Sequence, residues 1–332
     1  MAALRCLCYF GMAACMAVTV PASASEWSAI TQGRMLFTDN VFELSAARRL
    51  ALSEDPSQPV NVPLSRPSDI VWDPSVDVRH GSSSRWGLTE LSFKAHGFLY
   101  TNNPIFNHGD YRLQLNQQVA PGTTFMLRYR YDPNLFLGPN VERQSGNRLP
   151  EDERVTSHSW RLQLERQFTE QWMVVLVGRY GLRLYNEAFS ERDTTFYTIG
   201  PRLQFRPSPW ILLTLDYLYE RGLADGRNQP QFQDDVSYRQ HFVSFGTLFQ
   251  LWGPLSLELL YAYRNKIFTT TIAGDPLQGE LDQLQQGTAE QHYDISLAMR
   301  LTLGFQRTQR TSNLASRDFF NTNGSIGVQY RF

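Results

Sequence analysis

Cysteine is nearly missing from the chain. The three present, Cys6, Cys8 and Cys15, all fall in the first 24 of 332 residues. That stretch reads as a removable secretory leader. Arg5 supplies the positive charge, Cys6 to Val20 the apolar run, and Ala22-Ser23-Ala24 the small-residue cleavage site, so residues 1–24 are expected to be cut away. The lipobox-like Met12-Ala13-Ala14-Cys15 is disfavoured, because the apolar run continues past Cys15. A remaining chain without thiols excludes disulfides, thiolate metal sites and cysteine nucleophiles. Long apolar runs are missing as well. Beyond the leader no window holds 18 uninterrupted apolar residues, which excludes a transmembrane helix but not a membrane-spanning strand. A surplus of charge is the third absence: 31 Lys+Arg against 32 Asp+Glu argue for no nucleic-acid partner. His80, His96 and His241 are too scattered to suggest a metal site, and no cofactor motif is present.

What the chain does have is alternation. At its end, Ile326, Val328, Tyr330 and Phe332 share one parity, while Gly327, Gln329 and Arg331 share the other. Period 2 places the two sets on opposite faces of a β-strand. The same pattern recurs from Gly87 onward, for example Phe125, Leu127, Tyr129 and Tyr131 against Met126, Arg128 and Arg130. Tight turns are expected near Gly122, Glu170, Ser208, Gly253 and Arg300, each followed by a longer polar connection. The fold class is therefore all-β, an up-and-down antiparallel transmembrane barrel of about twelve strands over residues 88–332. Before it, residues 25–87 are expected to form a periplasmic or plug-like segment. Asn40 to Asp55 would be a short helix, and Pro56, Pro59, Pro63, Pro67 and Pro74 would punctuate a linker.

An aromatic, apolar strand stopping at a terminal Phe resembles the closing strand of Gram-negative outer-membrane β-barrels. The resemblance concerns that superfamily and singles out no family within it. It implies an outer-membrane location, short turns on one membrane side and long loops on the other. It also implies a final strand, with Tyr330 and Phe332, that the barrel-assembly machinery reads.

In hydrocarbon every backbone polar group needs an internal partner, so spanning strands must close into a barrel. Placing Arg128 or Arg183 against lipid would cost about 2–4 kcal/mol each, which assigns the polar parity to the interior. That parity is strongly basic, and the expected pore-lining residues are Arg112, Arg128, Arg130, Arg161, Arg179, Arg183, Arg202, Arg264 and Lys266. An arginine-lined bore favours small anionic solutes, the expected partners besides outer-membrane lipid. The sequence thus points to a porin-like channel and to no enzyme. A non-conducting structural or export barrel is the alternative. An outer-membrane hydrolase is a further one, with His108, His158 (beside Ser157 and Ser159) and His292 expected near the outer rim.

Overall fold

The computed structural model describes residues 26–41, 67–84, 87–313 and 318–332. The leader, most of the helix expected over residues 40–55, and the prolines from Pro56 to Pro63 lie outside the described residues. The strands are β1 (Glu26–Thr38), β2 (Asp69–Ser84), β3 (Gly87–Tyr100), β4 (His108–Ala120), β5 (Thr123–Val141), β6 (Pro150–Gln167) and β7 (Trp172–Tyr185). They continue as β8 (Thr194–Ser208), β9 (Ile211–Ala224), β10 (Tyr238–Trp252), β11 (Leu255–Phe268), β12 (Leu281–Asp294), β13 (Met299–Ser312) and β14 (Phe319–Arg331). Each strand runs antiparallel to the next, and β1 pairs with β14 from Ile30↔Arg331 to Thr38↔Asn323, closing the sheet. Even Phe332 is held in the seam, its N–H donating to the Ala29 carbonyl at 2.9 Å.

The wall therefore holds fourteen strands rather than about twelve. The two additional strands, β1 and β2, come from the stretch expected to precede the barrel. Two boundaries also move. The stretch after Tyr131, expected as a long loop, continues the β5–β6 hairpin, with register shifts between Asp132 and Leu135 and between Phe136 and Gly138. The last tight turn lies at residues 295–298 rather than near Arg300.

Directly paired residues share a face, so the register assigns inside and outside. The outer face is apolar and open: Leu176 is 57% exposed and Ile199 68%. Aromatic rings band it at two levels. At the short-turn end stand Trp27, Phe168, Trp210 and Trp252, with Trp172 stacked on Phe205 at 4.1 Å. Nearer the long loops, Tyr111 meets Tyr131 at 6.3 Å and Trp160 meets Tyr180 at 5.9 Å. Rings with an apolar body and a polar tip sit well at a membrane interface. Tyr185, expected outside, instead packs inside against Leu135, Leu137 and Val155.

The interior is not uniformly polar. A buried row of Val177, Leu218, Phe242, Leu284 and Phe319 climbs it from β7 to β14. Above this row, glycine makes room for rings. A Cβ at Gly222 would lie 2.2 Å from the Tyr238 ring, and one at Gly181 would lie 2.3 Å from Phe196.

Candidate functional site: a cationic belt in the barrel wall

Six consecutive strands, β3 to β8, present cations to the interior at nearly one level, with Arg130 joining Arg128 on β5. Lys94, Arg112, Arg128, Arg161, Arg179 and Arg202 lie five to eight residues from the short-turn ends of their strands. Lys94 directly opposes Arg112, while Arg128, Arg161 and Arg179 are successive cross-strand neighbours. Like charges directly opposite one another destabilise a sheet, so stability alone does not account for this ladder.

Carboxylates neutralise part of it. Arg112 Nε donates to Asp110 Oδ1 at 2.9 Å, and Arg202 Nε to Asp216 Oδ1 at 2.6 Å. Arg179 is bonded to Glu220 and to the Thr198 hydroxyl. Arg128 has only an amide, donating from Nε to Gln114 Oε1 at 2.8 Å. Arg161 makes no hydrogen bond or ion pair among the described residues, and its Nε is buried. Across the bore, at the same distance from the short-turn ends, β10 to β14 carry small or uncharged side chains. These are Ser244, Gly246, Leu260, Ala262, Gln286, Thr288, Gly304, Gln306, Asn323 and Ser325. At this level Arg34 reaches Glu290 at 2.8 Å. Cationic side chains on one arc thus face uncharged ones on the other, which makes the cross-section lopsided in charge.

All nine expected pore-lining residues lie on the inner face, and the belt gathers six of them: Arg112, Arg128, Arg130, Arg161, Arg179 and Arg202. Arg130 directly opposes Arg112 and is bonded to Asp132 at 2.9 Å. Arg183, Arg264 and Lys266 are packed into the wall. Arg183 lies 4.0 Å from the Phe196 ring centroid and donates to the Tyr238 hydroxyl at 2.7 Å, and that hydroxyl donates to Glu220 at 2.6 Å. The Lys266 ammonium sits over the Phe268 ring at 4.0 Å and opposes Asp282 across strands. Arg264 is buried between Phe242 and Leu284.

Sequence reasoning missed Asp110 and Asp132, although the spacings Asp110-x-Arg112 and Arg130-x-Asp132 place acid and base on one face. It missed Arg34 because β1 went unread as a strand. A further buried chain joins the wall below the loops: His96 lies between Asp73 and Asp110, with Nδ1 3.1 Å from Asp110.

The histidines expected at the rim separate. His158 faces outward, its Nδ1 2.8 Å from the Tyr129 hydroxyl, whereas Ser157 and Ser159 have the inward parity. His108 Nδ1 meets the Phe106 carbonyl at 2.8 Å. His292 lies two residues from the short-turn end of β12, at the opposite end from the long loops. Among the described residues no group of three or more His, Cys, Asp or Glu could hold a metal.

Above the belt the long loops are tied together by ions. Arg192 bridges Glu153 at 2.8 Å and Asp234 at 2.7 Å, and these carboxylates hold its guanidinium well above the usual arginine range despite burial. Beside it, burial and then Asp234 push the Glu191 carboxyl up, although Gln144 donates to it at 2.9 Å.

No protein-family model and no curated protein matches the chain. Among solved structures it is similar to the outer-membrane channel DcaP of Acinetobacter baumannii, with a TM-score of 0.53 and 9% identity over 93% of this chain and 97% of that one. It is also similar to OmpT, an outer-membrane protein of Vibrio cholerae, at a TM-score of 0.50 and 9% identity over 95% of this chain and all of that one. At such identities the likeness is one of fold. The chain thus has the fold of a closed antiparallel β-barrel similar to those outer-membrane proteins, with an apolar exterior.

Proposed function

We propose that the protein is a porin-like outer-membrane channel passing small solutes, preferentially anions. The carrying observation is the run of seven cations on six adjacent strands, in which Arg128 and Arg161 lack a carboxylate partner among the described residues. Basic side chains around a narrow passage raise the local concentration of anions and repel cations. The reading assigns no catalytic step, since His158 and its flanking serines occupy opposite faces of one strand. It retains the outer-membrane lipid and the barrel-assembly machinery as partners, the latter through Tyr330 and Phe332.

Planar-bilayer recording across a KCl gradient tests it. The reversal potential is expected to lie toward the chloride equilibrium potential. Cation selectivity, or a folded and inserted barrel that stays silent, would overturn the proposal.

A further inference from the structure

A cluster of guanidiniums in a wall needs counter-charge, and no carboxylate among the described residues is bonded to Arg128 or Arg161. Asp77 is held by Arg79 at 2.8 Å, Asp216 by Arg202 at 2.6 Å, and Glu165 accepts from Gln163 at 3.2 Å. Two neighbouring guanidiniums therefore face the bore without an acid of their own, one with a buried Nε that has no acceptor. Directly paired residues stand about 5 Å apart at Cα, so both forks can reach a single bound ion. A monocarboxylate would balance only one of the two charges. A tetrahedral oxyanion bearing two charges balances both, and its several oxygens suit two planar, multi-donor guanidiniums.

We propose that Arg128 and Arg161 form a binding station for a divalent tetrahedral oxyanion, namely phosphate or the head of a phosphate monoester, on its way through the bore. This rests on the reading of the protein as an anion channel. A lipid headgroup does not reach the station, because the lipid-facing positions beside it are Leu127 and Leu162, 38% and 48% exposed.

Equilibrium binding to the folded, detergent-solubilised barrel tests the station without relying on conduction. Inorganic phosphate, sulfate and acetate are titrated at low ionic strength and followed by calorimetry, with phosphorus NMR line broadening as a second readout for phosphate. Saturable phosphate binding is expected at pH 8, at least tenfold weaker at pH 5, since phosphate is mainly a dianion at the first pH and a monoanion at the second. Sulfate, divalent throughout, should bind equally at both. R128Q and R161Q should each weaken phosphate binding at least tenfold. R161K, which keeps the charge and loses the fork, should lie between them and wild type, and R264Q should bind as wild type does. Acetate binding as tightly as phosphate, phosphate binding that survives R128Q/R161Q, or no binding at all would overturn the station. Any of these leaves anion selectivity in the bilayer untouched. Saturable phosphate binding in a barrel without anion selectivity would instead sink the channel reading and keep the station.

Discussion

Arg34 on the first strand reaches Glu290 on the twelfth, 256 residues away, by crossing the inner faces of β14 and β13. Glycines lie beneath its path: a Cβ at Gly327 would lie 3.4 Å from the Arg34 side chain, and one at Gly304 would lie 3.5 Å from the Glu290 carboxylate. The contact acts as a strap over the seam where the chain's two ends meet.

Cutting the strap should be felt twice. Glu290→Gln is expected to lower barrel stability by about 1 kcal/mol, the scale of a partly exposed pair, as a reduced unfolding temperature in gel-shift assays. It should also increase anion preference, because Arg34 joins the unpaired cations facing the bore. An unchanged reversal potential would show that this side of the wall does not sense permeating ions.

The belt and the packed cations should respond differently. Arg161→Glu is expected to move the reversal potential several-fold toward equal permeability for potassium and chloride. Arg264→Gln, buried between Phe242 and Leu284, should alter selectivity little and act on stability instead. Equal shifts in the two variants would mean that position in the belt is irrelevant.

Gly222→Val tests the ring that crosses the wall. Its Cβ would lie 2.2 Å from Tyr238, so the ring must leave its bonds to Glu220 and Arg183. Overpacking of this kind costs about 1–3 kcal/mol. Tyr238→Ala in the same chain should restore part of the loss, as measured by urea unfolding in detergent.

The extramembrane loops should loosen as acid is removed. Burial raises the Glu191 carboxyl above its ordinary value of 4.5, and burial also raises Asp193. A raised carboxyl binds its proton more tightly when folded, so its stabilising contribution is present in acid and is lost as pH rises through the raised value. Protection factors over residues 187–193, with exchange corrected for its intrinsic pH dependence, are expected to rise from pH 7 to pH 5. Glu191→Gln should raise them at pH 7 and flatten their pH response. An identical pH response in the variant would remove Glu191 from the account.

Deleting Phe332 tests the closing strand as an address. Less inserted barrel in outer-membrane fractions, with refolding from urea into detergent preserved, is expected if the assembly machinery reads it. Equal loss in both would make the residue purely structural.

The sequence was most legible where lipid imposes hydrophobicity on one parity. β7 and β11, Trp172–Tyr185 and Leu255–Phe268, fall where alternation places them. It was least legible where the outward face is not greasy. The lipid side of β12 carries Gln283, Gln285, Gly287, Ala289 and Gln291, while Leu284 points inward, so the usual contrast is reversed. β1 likewise shows Ala29, Thr31 and Gly33 outside and Ile30 and Leu36 inside, and β2 contains Pro74 and a serine run. The inward cations could be read as a set. Their gathering into a belt could not, because that depends on cross-strand register, which no single strand encodes.

The pairing of β1 with β14 has a consequence for biogenesis. A ribosome makes the first strand earliest, yet its partner emerges last, so the opening hydrogen-bonding edge must wait for the entire polypeptide. Products that stop early possess two raw strand borders, which invite pairing with other chains. Only full-length synthesis removes both borders at once, and closure itself thereby discriminates finished molecules from abandoned ones.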